Sequence, residues 1–308
     1  HSGGGTVQLD LPISVSGNLS ASGNITGSGI TFNGSSQSLS TESVSLPDIT
    51  IANGTTVTTS GLGQNAKTLA LASITVNGDS KLSGGTDDTS LDISGDVTIT
   101  DGTLELSDSS ADPLYSVAGN FLLNATNGSF TADERTVALD GSSAQNIGLG
   151  STEQGPTFFD LEINNANGVT ANTDLADDVE ITQDLILTDG AFTTNGKLTL
   201  LSTYDGSDII DAAVTQDGGS GTLTSSNDTA QRVVDGTGGG TTGNSNTGTL
   251  GDDAGWRSLG IPFSSSLTGS DLIDTDDSDP IPVELPSAGG DMIFKWDATN
   301  NEYVSPPD

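Results

Sequence analysis

Between Arg135 and Ser202 the chain alternates apolar and polar residues, with a short break after Gly148. Val137 and Leu139, Leu161 and Ile163, Val179 and Ile181, and Leu198 and Leu200 stand two apart, with Thr, Asp, Asn, Glu or Ala between them or beside them. A period of two places one apolar row inward and one polar row outward, which is the signature of a half-buried strand. The rows are separated by Asp140-Gly141, Asn167-Gly168, Asp189-Gly190 and Asn195-Gly196. Such pairs turn or corner the chain at little steric cost. The stretch therefore predicts short strands joined by tight corners, with no room for helices.

Earlier segments echo it. ITFNGSSQSLS from Ile30 and LPDITIANGTTV from Leu46 match VALDGSSAQNIG and FFDLEINNANGV in order and pattern. The Gly of GSS moves from Gly34 to Gly141, an offset of 107 residues. DVTITDGTLELS from Asp96 echoes DLILTDGAFTTNGKLTL, with Asp101 moving to Asp189, an offset of 88. Unequal offsets exclude one large duplication and point to an array of small strand-turn units. The expected fold is all-β: a β-solenoid or β-helix-like array with a small C-terminal β unit. Antiparallel β-sandwich modules are the alternative, because Asp-Gly and Asn-Gly also suit hairpins. At about 20 residues per turn, residues 16–235 make about 11 turns.

Charge narrows the partners. The 308 residues carry 42 acidic and 7 basic side chains, a formal charge of −35. Phosphate neutralisation needs Lys and Arg, so nucleic acid is excluded as a partner. An anionic membrane surface is disfavoured for the same reason. The self-repulsion calls for salt or bound cations. Asp outnumbers Glu 34 to 8, in keeping with a chain made of turns. There is no Cys, so no disulfide framework. No apolar run approaches the roughly 20 residues of a spanning helix. The chain opens on His1 and shows no signal peptide, as expected of a processed mature chain.

Four regions follow. Residues 1–15 hold a Gly leader and a strand in which Val7, Leu9, Leu11, Ile13 and Val15 share one face. Pro12 cannot donate to a ladder, so this strand belongs at an edge and is a candidate subunit contact, donated to a neighbouring copy. An ordinary first strand or cap is the plainer reading. Residues 16–235 form the repeat region. Residues 236–250, rich in Gly, Thr and Asn, read as a linker. Residues 251–308 hold both Trp residues, Trp256 and Trp296, and six of the ten Pro. The end of this region reads as a hairpin, with Phe294 and Trp296 on one strand and Tyr303 on the return.

Chemistry is sparse. No Cys is present and the single His is the first residue, so no nucleophilic triad can be held rigidly, and no catalytic residue is assigned. Two carboxylates at glycosidase spacing arise by accident among 42 acids, so they carry no assignment. The metal candidate is Asp274, Asp276, Asp277 and Asp279, where hard oxygen ligands two residues apart suit Ca2+. The EF-hand pattern fails at Asp279 and Leu285, and a solvated acidic loop competes. Asp174, Asp177 and Asp178, and Asp205, Asp208 and Asp211, form two weaker clusters.

The segments Ile30–Val57 and Val137–Leu201, with GWRSLGIPF at Gly255–Phe263 and IFKWDATNNEYV at Ile293–Val304, resemble secreted repetitive β-rich proteins of the Bacteroidetes and their relatives. These carry similar GSS-Q, INNA-GV and TNG units followed by a GWR segment and a terminal hairpin. The resemblance implies an extracellular, surface-attached or secreted β-rich protein of a kind often exported by a type IX system, and it implies no known activity. The family's sorting domain, which usually follows the hairpin, has no counterpart before Asp308.

The expected function is a structural subunit of an extracellular filament or surface layer. It would assemble with itself by β-strand addition or end-to-end stacking. The alternative is a cell-surface adhesin or carbohydrate-binding stalk, with Trp256 and Trp296 as ligand contacts and glycans or other surface proteins as partners.

Overall fold

A computed structural model describes residues 5–52, 54–61, 67–84, 89–106, 114–204, 209–216, 219–225, 228–230, 295–297 and 302–304. The chain divides into two compact units, His1–Pro262 and Phe263–Asp308. Among the described residues there is no helix. The first unit is a β-solenoid of parallel strands on three faces.

Sheet 1 begins at Val44–Leu46 and runs through Lys67–Leu71, Thr89–Ile93, Tyr115–Val117, Thr136–Leu139, Thr157–Asn164, Val179–Asp189 and Leu198–Leu200 to Thr229–Ala230; Ala213–Gln216 also pairs with Val179–Asp189. Sheet 2 has ten strands: Ile13–Val15, Ile30–Phe32, Ile49–Ile51, Ile74–Val76, Val97–Ile99, Phe121–Leu123, Gln145–Ile147, Val169–Ala171, Ala191–Thr193 and Thr222–Thr224. Sheet 3 has six: Leu19–Ala21, Ser36–Thr41, Thr56–Gly61, Ser80–Ser83, Gly102–Glu105 and Gly128–Thr131. Val7–Leu9 pairs separately with Ile25–Gly27.

The pairing replaces the sandwich alternative. Within the described residues the antiparallel strand pairs are Ser202–Tyr204 with Ile209–Asp211 and Lys295–Asp297 with Glu302–Val304. The latter is the expected terminal hairpin, with Trp296 opposite Tyr303. Turn length also differs from the expected 20 residues. Ile13 pairs with Ile30 and Ile30 with Ile49, steps of 17 and 19. Ile49, Ile74, Val97, Phe121 and Ile147 then follow at 25, 23, 24 and 26, so the chain makes fewer and wider turns.

Parallel stacking in register lines like residues into columns. Ile30, Ile49, Ile74, Val97 and Phe121 form one buried row of sheet 2, and Phe32, Ile51, Val76, Ile99 and Leu123 form another. Between them Thr31, Thr50, Thr75 and Thr98 make an outward column. Burial of each Ile, Leu or Phe contributes about 1.5–3 kcal/mol. Repetition of the rows explains how a chain with few aromatics still builds a core.

The sequence echoes prove to be corners. Phe32 closes a strand of sheet 2 and Ser36–Thr41 opens the next on sheet 3. Leu139 closes a strand of sheet 1 and Gln145–Ile147 opens the next on sheet 2. Each corner is stapled by a buried glutamine. Gly34 N–H donates to Gln37 Oε1 (2.8 Å), and Gln37 Nε2 donates to the carbonyls of Val15 (2.9 Å) and Gly17. Gly141 N–H donates to Gln145 Oε1 (2.9 Å), and Gln145 Nε2 donates to the carbonyls of Val117 (2.8 Å) and Gly119. Asn165 Nδ2 also donates to Gln145 Oε1 at 2.8 Å. The other echoes move by one face too. Ile49–Ile51 and Val97–Ile99 lie on sheet 2, while their counterparts Leu161 to Ile163 and Leu185 to Leu187 lie on sheet 1. What repeats is a corner with its two flanking strands.

Gln145→Leu keeps the volume but strands the Gly119 carbonyl and the Gly141 N–H in a buried corner. We expect a loss of about 2–3 kcal/mol, read from the midpoint of urea unfolding.

Candidate functional site

Two of the places where the ladders are interrupted bear on function: the first rung and a step where sheet 3 ends. The expected strand 7–15 is bent into two. Val7–Leu9 pairs with Ile25–Gly27, and Ile13–Val15 pairs with Ile30–Phe32, so both halves lie on their own chain. The bend falls at Asp10 and Leu11, just before Pro12. Leu11 is 74 % exposed and Ile13 36 %, while Val7, Leu9 and Val15 are half-buried. The five residues therefore do not share one face. With Leu19–Ala21 the two strands form a first rung bonded on one side only, among the described residues.

Backbone parity fixes which groups face outward. Ile13 N–H donates to Gly29 O, and Val15 O accepts from Asn33 N–H. Val7 N–H donates to Asn24 O, and Leu9 O accepts from Ser28 N–H. Residues 7, 9, 13 and 15 thus point toward the second rung, and the N–H and C=O of Gln8 and Ser14 point away from it.

The step lies deeper in the stack. Gly128–Thr131 is the last strand of sheet 3, whereas sheets 1 and 2 continue. From there the chain crosses the third face as residues 148–156, 172–178 and 194–197, none of which forms a strand. The result is a cavity of about 530 Å³ lined by Leu123, Phe130, Gln154, Thr157 and a carboxylate group of Asp177, Asp178 and Glu180. Phe130 ends the inward column Val57, Leu82, Leu104, Phe130. The three residues before it are at most 2 % exposed, but Phe130 is only half-buried. Its ring packs edge-on against Phe121 and Phe158, with centroids 5.0 and 5.5 Å apart.

Two of the three carboxylates, Asp178 and Glu180, are positioned by threonines. Thr199 Oγ1 donates to Asp178 Oδ2 at 3.0 Å, and Thr157 Oγ1 to Glu180 Oε2 at 2.7 Å. Lys197 Nζ lies 4.0 Å from Asp178 Oδ1 and donates to the Leu175 carbonyl at 2.9 Å. Elsewhere, Lys81 beside Glu105 holds that carboxyl below the usual range against the opposing effect of burial. Partial desolvation, then the Asp92 and Glu162 charges, push the carboxyl of solvent-exposed Asp140 up, so its ionisation disfavours the native state as pH rises through the native value.

Among the described residues no group of three or more acidic or His side chains is arranged to hold a metal. Asp274, Asp276, Asp277, Asp279 and Trp256 lie outside the described residues; of Trp296 only the backbone pairing is described. Phe130, Gln154, Thr157 and Glu180 were not singled out from sequence. Their signal was the run GLGSTEQGP from Gly148, where alternation lapses for a whole face. No helix among the described residues is long and apolar enough to cross a membrane. Comparison of the chain with protein-family models, with curated proteins and with solved structures returns no match.

Proposed function

We propose that this protein is a structural subunit of an extracellular filament or surface layer, joined to further copies by stacking onto its first rung. The observation that carries this reading is the single-sided bonding of Val7–Leu9, Ile13–Val15 and Leu19–Ala21, beside exposed Leu11 and Ile13. An open edge is a template for another strand, and a copy's ladder would continue it. The net charge of −35 spaces assembled copies apart and makes assembly dependent on salt or divalent cations.

The test exploits parity. Gln8→Pro with Ser14→Pro removes two outward donors and leaves the inward ladder intact. Negative-stain electron microscopy should show filaments of the native protein, across a series of salt and Ca2+, that are absent from the double variant. Monodisperse native particles under every condition would overturn the structural role. Filaments in both samples would discard the first rung as the joint.

A further inference from the structure

We propose that the step at the end of sheet 3 is a β-augmentation site that takes an extended basic peptide segment of a partner protein as a seventh strand. Three observations converge on it. The first is the backbone. Gly102 N–H donates to Asn127 O and Leu106 N–H to Thr131 O, so residues 127, 129 and 131 face the neighbouring strand. Gly128 and Phe130 face the cavity. Gly128 N–H is held by the Asn124 carbonyl, and its own carbonyl by Gln154 Nε2 at 3.3 Å. The Phe130 N–H and C=O have no such partner among the described residues. They are a donor and an acceptor at the spacing an added strand uses.

The second is the core. The inward column of sheet 3 stops at Phe130, which leaves a ring half-covered at a position where every earlier member of the column from Val57 is buried. An added strand would place one apolar side chain there, as the next rung does everywhere else. The cavity, about 530 Å³, is within the range of ligand sites.

The third is charge. Asp177, Asp178 and Glu180 line the same cavity. Lys197 is the basic side chain placed beside Asp178, at 4.0 Å, and is also bonded to the Leu175 carbonyl. A strand carrying Lys or Arg next to its apolar residue complements this wall. A second copy of this chain fits poorly, since 7 basic residues are set against 42 acidic ones. A strand is favoured over a glycan because the edge offers a backbone donor and acceptor at Phe130, at the spacing an added strand uses.

The probe is a fluorescein-labelled peptide that alternates Val and Thr around a central Lys, added to the full chain and read by anisotropy. Three controls accompany it: the peptide N-methylated at alternate amides, the peptide with Glu for Lys, and a neutral oligosaccharide as competitor. The native protein should bind the Lys peptide, with affinity falling about tenfold for the Glu peptide and for Asp177→Lys. N-methylation should abolish binding, because it removes the bonds to the strand edge. Asp177 is exposed and its side chain makes no hydrogen bond within the described residues, so Asp177→Lys leaves the fold intact, which circular dichroism checks. Equal binding of the N-methylated peptide would overturn strand addition. Equal binding of the Glu peptide would overturn the charge selection. No binding at millimolar peptide, or displacement by the oligosaccharide alone, would overturn the site as a peptide site.

Discussion

Gly190→Ala is expected to destabilise the solenoid by about 4 kcal/mol or more, at the upper end for one substitution. Gly190 turns the corner from sheet 1 to sheet 2 at φ +76°. A Cβ there would sit 1.8 Å from the carbonyl oxygen of Asn165. That oxygen belongs to backbone and cannot swing away as a flexible side chain would. Displacing Asn165 also pulls its side chain from Gln145 and from the Ser143 carbonyl, so damage spreads to the preceding rung. Gly54→Ala is the control. Its φ is +68°, but nothing lies within 4 Å of the added methyl. It should lose only about 1 kcal/mol, for the left-handed backbone. Urea midpoints of both variants decide the matter, since equal losses would show that the close approach adds nothing.

Phe158→Ala should lose about 3–5 kcal/mol and broaden the transition. Phe158 is fully buried and touches Phe121 and Phe130 edge-on, with centroids 5.4 and 5.5 Å away. This trio fills the core where the third sheet stops. In a stack held by nearest-neighbour terms, a void at that level uncouples the rungs before it from those after it. The expected urea curve has a lower slope or a second step. A sharp single transition with a loss under about 1 kcal/mol would show that the trio does not join the two parts.

Much of this architecture was legible from residue order alone. Alternation at Val137 and Leu139, Leu161 and Ile163, Val179 and Ile181, and Leu198 and Leu200 marked strands, and all eight residues are buried. Other features were not, for definable reasons. Alternation through Val7, Leu9, Leu11, Ile13 and Val15 says nothing about a bend, and Pro12 was the cue that the row would break beside it. Which face an echo occupies was hidden, because each face accepts any short apolar-polar-apolar strand. The GSS-Q pattern named the corner without naming the sheets it joins. Phe130 could not be singled out, since its half-exposure depends on what the following rung omits.

The step length of the stack bears on how the chain folds. From Ile49 to Ile147 each strand of sheet 2 pairs with one only 23 to 26 residues away. That separation does not grow as rungs are added, so no pairing must wait for distant parts of the chain to meet. The entropy of closing each loop rises only with the logarithm of its length and is nearly the same at every rung. Such a chain has a low contact order for an all-β protein. Any completed pair of rungs can serve as a nucleus, and growth in either direction repeats the same small closure.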